Sequence, residues 1–292
     1  MASDAVPAAS DPGSDPAAPD VCVIVLGVFR SGTSVVAGML DLLGVRMGPH
    51  RPKRNWMEVS PWSPTGTYEN DDFRWFDWAA LGVDARIPQR SLPDDWRERR
   101  GRVPPGTVAA LVRASEGGAW GWKDPYTVLT LPLYLPHVRH PRFVVVRRNP
   151  DDVAVSIHRQ DWASLEEARR LVRILSEELD RELGRCKDVP RLELSFDEVA
   201  DSPERTVDRI VSFLGLDCSP SARAAAAALI RPKSAQREAT RRLAVSELAK
   251  TPKWFSYAVI LELRFGPRGP TTVLRAAWRK LSQTFRLATS AG

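Results

Sequence analysis

The stretch Val21–Val45, VCVIVLGVFRSGTSVVAGMLDLLGV, decides the fold. Val21–Leu26 is an unbroken apolar run, the pattern of a strand buried on both faces of a parallel sheet. From Ser34 to Leu43 apolar residues return at helical spacing. Between them lies Gly27-Val28-Phe29-Arg30-Ser31-Gly32-Thr33-Ser34, a turn bracketed by two glycines. Glycine lets the backbone wrap closely round an anion, and the first turn of the helix offers N–H groups and the positive end of its dipole. The glycine spacing is that of a Walker A loop, but Thr33-Ser34 stand where that motif demands Lys and then Ser or Thr. Arg30 is the only cation in the loop. This geometry suits an oxyanion of shorter reach than a triphosphate.

Outward from this loop, strands and helices alternate. RFVVVRR, Arg142–Arg148, reads as a second core strand, Ala119–Trp122 as a short one running into Lys123-Asp124-Pro125, and Arg191–Phe196 as another. Helices are expected over Asp71–Leu81, up to about Arg113, over Val128–Leu135, from Pro150, and from Leu165 to about Arg185. Another begins at Ser202-Pro203-Glu204 and stops at Gly215. In the long helix, Leu171, Ile174, Leu175 and Leu179 share one face. Residues 46–66 and 97–105 read as loop. The fold class is α/β: a single domain with a central parallel β-sheet flanked by helices. Residues 1–20 are expected to be a disordered leader, 21–240 the domain and 241–292 a basic helical extension.

Bulk properties exclude several classes. The net charge is +6, but residues 1–20 hold −4 and residues 241–292 hold +8, leaving the domain nearly neutral. That is not the concentrated basic face of a nucleic-acid-binding core. Cys22, Cys186 and Cys218 are scattered, without a CxxC pair or His at ligand spacing, so neither a disulfide framework nor a metal site is expected. The leader lacks the basic and apolar segments of a secretory signal, and no window reaches the ~18 apolar residues of a membrane span. The expected location is the cytoplasm. Abundant Ala and an excess of Arg over Lys suggest a high-GC bacterial source. The C-terminal extension mixes basic residues with Leu, Trp and Phe: either it packs on the domain with a solvated basic face, or it makes peripheral contact with an anionic membrane.

A second anion-binding feature follows the core strand. In VVVRRNPDDVAVS, Arg148 ends the strand and Ser156 lies two helical turns along. Both approach an anion above the carboxyl edge of the sheet, where α/β folds bind ligands. GVFRSGTS followed by RNPDDVAVS resembles the two loops with which sulfotransferases hold 3′-phosphoadenosine 5′-phosphosulfate. LELSFDEVADSPERTVDRIVSFLGL is similar to a later strand and helix of that family, and GWKDPYTVLTLPLYLPHVRHPRFVVVRR to a Lys-Asp-Pro stretch of its bacterial and tyrosylprotein members. The resemblance spans roughly Val21–Arg237. It implies that Arg30, Ser31, Gly32, Thr33 and Ser34 hold the 5′-phosphosulfate and that Arg148 and Ser156 hold the 3′-phosphate, with no metal. LIRPKSAQR, through Arg231, Lys233 and Arg237, is a weaker match to the segment that covers the cofactor.

For the chemistry, the expected catalytic residues are Arg30, Lys123 and Glu69. Arg30 stabilises the leaving group, and the resemblance gives Lys123 a transition-state role. Glu69, in Gly66-Thr67-Tyr68-Glu69-Asn70, is the first choice of general base, with Asp124 and His158 as runners-up. Trp56, Trp62, Trp75, Phe76 and Trp78 either line an acceptor pocket or, for the last three, form a core helix face. The expected partner is a carbohydrate, lipid or small-molecule acceptor offering a hydroxyl or amine. Two rivals stay open: a P-loop kinase or NTPase, against which the missing lysine counts, and a non-catalytic sulfonucleotide-binding member.

Overall fold

The computed structural model of the chain describes residues 20–48, 67–85, 88–159 and 163–230. The expected leader (apart from Asp20), the extension over 241–292, Trp56, Trp62, Arg231, Lys233 and Arg237 lie outside the described residues.

In chain order the elements are β1 (Val21–Leu26), α1 (Thr33–Leu42), α2 (Asp71–Leu81), α3 (Trp96–Gly101), α4 (Pro105–Ser115), β2 (Ala119–Lys123) and α5 (Thr127–Tyr134). Then follow β3 (Pro141–Arg147), α6 (Pro150–His158), α7 (Leu165–Arg185), β4 (Arg191–Ser195), α8 (Phe196–Asp201), α9 (Pro203–Leu214) and α10 (Pro220–Ala227). The strands form one parallel sheet in the order β2-β1-β3-β4. From β1 the chain moves to one side, towards β2; from β3 it moves to the other, towards β4. The connections therefore diverge between the carboxyl ends of β1 and β3, the switch point at which open α/β sheets form their binding crevice.

The pleat divides the core in two. Cys22, Ile24 and Leu26 of β1, Trp120 and Trp122 of β2, and Phe143 and Val145 of β3 face a layer containing α2, α5 and α7. Val21, Val23, Val25, Val144 and Val146 face the other way, against α1, α9 and α10. On α7, Leu171, Val172, Leu175, Leu179 and Leu183 are buried, each contributing about 1.5–3 kcal/mol by leaving water. Ser164 and Glu167 close a capping box at its start, which explains its sharp onset.

Two boundaries differ from expectation in ways that matter. The segment 97–105 is not all loop: α3 forms because Trp96 is buried and because Arg97 and Arg100 reach Glu178 of α7, at 3.2 and 3.7 Å. So short a helix is held by tertiary contacts, which local propensity does not report. Phe196 is not the end of a strand but the first residue of α8, capped by Ser195, whose side chain accepts from the N–H of Glu198.

Candidate active site at the carboxyl edge of the sheet

The loop after β1 is held by its own short contacts. The Ser31 hydroxyl and N–H both donate to the Val28 carbonyl, at 2.7 and 3.2 Å, so Ser31 shapes the turn from inside. Arg30 has φ +63° and Gly32 φ +98°, the left-handed conformations that bring the chain round into α1. Gly27 is needed for a different reason: a Cβ there would come within 2.7 Å of both Thr33 and the Val146 carbonyl. Gly32 is the N-cap of α1 and has no side chain with which to cap it, so the N-cap leaves the first-turn N–H groups to other partners.

The second loop meets the first. Arg148 donates through Nη1 to the Arg30 carbonyl at 3.0 Å, and Arg30 Nε donates to Ser156 Oγ at 3.4 Å. Asn149 caps α6 by accepting from the N–H groups of Asp151 and Asp152, which sets where Ser156 falls. Arg147 pairs with Ser195 in register, so Arg148 and Phe196 leave adjacent parallel strands side by side; the Arg148 guanidinium lies 4.2 Å from the Phe196 ring centroid. Burial, and then the charge of Arg148, lower the Arg30 pKa to about 10. Arg148 Nε is buried with no hydrogen-bond partner among the described residues. Two guanidinium groups in proximity and an orphaned donor form a site whose electrostatics favour an anion.

On the other flank of β1, the last residue of β2 is Lys123, opposite Val25. Its side chain is 2% exposed, and Nζ donates to Glu69 Oε1 at 2.9 Å and to Ser34 Oγ at 3.1 Å. Glu69 also accepts from Arg74, whose Nη1 lies 3.2 Å from Oε2, and Arg74 in turn bonds Asp71. Burial alone would raise the Glu69 carboxyl, but Lys123 and then Arg74 outweigh it and hold the group below the usual carboxylate range. Lys123, Glu69 and Ser34, from three separate segments, thus meet at the same edge of the sheet as Arg30.

The runner-up bases are placed elsewhere. Asp124 is 1% exposed and its Oδ2 accepts from the Tyr126 N–H at 2.8 Å. Burial, then the charges of Asp77 and Glu69, push it well above the ordinary range. His158 is exposed at the end of α6, with Nδ1 3.1 Å from the Ala163 carbonyl oxygen. Of the aromatic cluster on α2, Trp78 is buried and Phe76 packs on the core, while Trp75 is 51% exposed. An open groove of about 410 Å³ is lined by Phe76, Arg99 and Arg102 but by none of the candidate catalytic or cofactor-binding residues.

Arg74 and Phe196 were not legible as site residues. Nothing in the sequence singles out Arg74. Phe196 carried a signal, since Ser195-x-x-Glu198 is a helix-start pattern that places it at the tip of β4. Among the described residues no group of acidic, His or Cys side chains is arranged to hold a metal ion, and no helix is long and apolar enough to cross a membrane.

A sequence model of the sulfotransferase family matches residues 22–220. Among solved structures, sulfotransferase STF1 from Mycobacterium tuberculosis H37Rv superposes with a TM-score of 0.51 at 16% identity, covering 77% of each chain. Sulfotransferase STF9 from Mycobacterium avium matches at 15% identity and a TM-score of 0.43, covering 72% of this chain and 67% of that one. No curated protein matches the chain.

Proposed function

The chain belongs to the sulfotransferase family, and from that premise we propose that it moves a sulfuryl group from 3′-phosphoadenosine 5′-phosphosulfate to a hydroxyl or amine of a carbohydrate, lipid or small-molecule acceptor. The observation that carries this reading is the convergence of Arg30, Arg148 and Ser156 between β1 and β3, with an orphaned buried donor on Arg148. Arg148 and Ser156 hold the 3′-phosphate. Arg30 and the first-turn N–H groups of α1 hold the 5′-phosphosulfate, with Thr33 and Ser34 at the helix start. The sulfonucleotide supplies an activated sulfuryl group and a phosphate leaving group.

The residues of the chain supply orientation and charge. Arg30 and Lys123 bring positive charge to the edge where the leaving oxygen becomes more negative. Lys123 also fixes Glu69, and through Ser34 ties that carboxylate to the start of α1. Glu69 is ionised at neutral pH, the state required to accept the proton of the acceptor. No step in this scheme needs a metal ion.

The test is calorimetric titration of the full chain with 3′-phosphoadenosine 5′-phosphate, without metal, for wild type and Arg148→Ala. A charge-assisted arginine contact contributes roughly 1.5–3 kcal/mol, so the substitution is expected to weaken binding by about tenfold or more. A wild type that ignores this ligand but binds ATP with Mg²⁺ would overturn the proposal in favour of an NTPase.

A further inference from the structure

Glu69 is gripped from two sides. Its Oε1 accepts from Lys123 Nζ at 2.9 Å, and its Oε2 accepts from Arg74 Nη1 at 3.2 Å. The other terminal nitrogen of Arg74, Nη2, bonds Asp71 Oδ1. Arg74 is 8% exposed, and its guanidinium carbon lies 5.6 Å from the Trp75 ring centroid and 5.4 Å from that of Trp78.

We propose that Arg74 is a positioning residue for sulfuryl transfer, holding Glu69 by Oε2 so that Oε1 stays beside Lys123 at the crevice. This role rests on the function proposed above, in which Glu69 takes the proton of the acceptor.

The backbone settles where Glu69 stands, and Arg74 settles how its carboxylate is turned. Tyr68 has φ +51°, a left-handed conformation that is unfavourable for a residue with a Cβ. Its ring packs where Gly38 of α1 has no side chain: a Cβ at Gly38 would come within 2.8 Å of it. On the other side, the Asn70 side chain caps α2 by accepting from the Asp72 N–H at 3.1 Å. The chain is thus fixed before and after Glu69, yet a glutamate keeps several rotatable bonds of its own. A planar guanidinium removes that freedom, since its separate nitrogens span Glu69 and Asp71 while its faces pack beside the two indoles.

Asp77, one helical turn after Arg74, ties α2 to the segment that follows Lys123. It is fully buried; Oδ1 accepts from the Thr130 hydroxyl at 2.6 Å and the Tyr134 hydroxyl at 2.7 Å, and Oδ2 accepts from the Thr127 hydroxyl at 2.7 Å. All three donors stand on α5, directly after β2 and its terminal Lys123. The two cations that grip Glu69 therefore share one frame. The charged groups facing Glu69 are Lys123 at the end of β2, Asp124 behind it, and Arg74 with its partner Asp71 on α2. Burial is opposed by Lys123 and then by Arg74, so without Arg74 the carboxyl value rises.

Single-turnover cleavage of 3′-phosphoadenosine 5′-phosphosulfate by the full chain, with water as acceptor, tests the role. The water oxygen bonds sulfur, its proton passes to Glu69, and the bridging S–O bond breaks with its electron pair left on 3′-phosphoadenosine 5′-phosphate. Arg74→Met is expected to slow cleavage at saturating sulfonucleotide by about 10–100-fold, with affinity for 3′-phosphoadenosine 5′-phosphate unchanged. The acid limb of its pH–rate profile is expected at higher pH than in wild type, because Glu69 is then protonated more readily. In a Glu69→Gln background the same substitution is expected to change the rate by less than about twofold, since no base is left to position. Arg74→Gln, polar but shorter, carries the same comparison if Arg74→Met does not fold. Equal slowing in both backgrounds would make Arg74 a structural residue and overturn the proposal. So would wild-type cleavage by the Arg74 variants, an unmoved acid limb, or wild-type cleavage by Glu69→Gln alone. In each of these cases an active wild type leaves the sulfotransferase reading standing. A wild type that neither binds nor cleaves the sulfonucleotide refutes that reading, and the positioning role with it.

Discussion

Replacing Lys123 by Met keeps the length of the side chain and removes its charge. Lys123 Nζ is bonded to Glu69 Oε1 at 2.9 Å and Ser34 Oγ at 3.1 Å, with almost no water contact. Removing one partner of a buried ion pair costs about 3–5 kcal/mol when the other is left uncompensated. Here Arg74 stays 3.2 Å from Glu69 Oε2, so the expected loss at pH 7.5 is nearer to about 2–3 kcal/mol. Its pH dependence follows from Glu69. In wild type this carboxyl is held below its unfolded value, so its contribution is present above roughly pH 4.3 and lost as pH falls through the lower folded value. Without Lys123, the burial that favours the protonated form is opposed by Arg74 alone, and the folded value rises. The deficit of the variant then grows as pH rises through the interval between the two folded values and fades in acid. Urea unfolding of wild type and Lys123→Met, followed by tryptophan fluorescence, is expected to show the full gap at pH 7.5 and a much smaller one in acid below the lowered folded value of Glu69. Adding Glu69→Gln to Lys123→Met should recover most of the loss at neutral pH. A gap of equal size at both pH values would refute the argument, because it would mean that Lys123 acts by packing rather than by holding a buried charge.

Other substitutions probe the rest of the site. Gly32→Ala forces a Cβ onto a residue at φ +98° and within 2.9 Å of the Phe196 ring, so it is expected to cost about 1–3 kcal/mol in thermal unfolding and to weaken binding of 3′-phosphoadenosine 5′-phosphate. Phe196→Ala removes the ring beneath the Arg148 guanidinium, a contact of about 1–2 kcal/mol, and calorimetry should show a roughly 5–30-fold weaker complex with the same ligand. His158→Ala is expected to change stability by less than about 0.5 kcal/mol and ligand affinity not at all, since the ring is exposed. A large loss of sulfuryl transfer in that variant would reinstate His158 as the base.

What was legible in advance followed from local chemistry. The apolar run over Val21–Leu26 admits a buried strand, Gly27 and Gly32 admit a tight turn, and the residues after them admit a helix; each inference needs only neighbours in the chain. Pro150 announced the start of α6 by the same short-range logic. The absence of a lysine after Gly32 was likewise enough to turn attention away from a triphosphate.

The tertiary structure decided which of these groups meet. Strand order places β1 between β2 and β3, and only that order brings Lys123 to one flank of the glycine loop and Arg148 to the other. Contacts of Lys123 with Glu69, Arg148 with Phe196, and Asp77 with Tyr134 join residues distant in sequence, and no local pattern says which of them meet. Asp124 shows the limit best. In sequence it is a candidate base next to a candidate catalytic lysine, but burial, with the charges of Asp77 and Glu69 nearby, pushes its carboxyl well above the ordinary range. The sequence by itself determined a strand–loop–helix built to grip an anion, because steric and helix-end effects act within a few residues. Desolvation and charge pairing depend on everything packed within a few ångströms, whatever its position in the chain, so the surroundings of Asp77, Asp124, Arg74 and Phe196 existed only once the sheet had assembled.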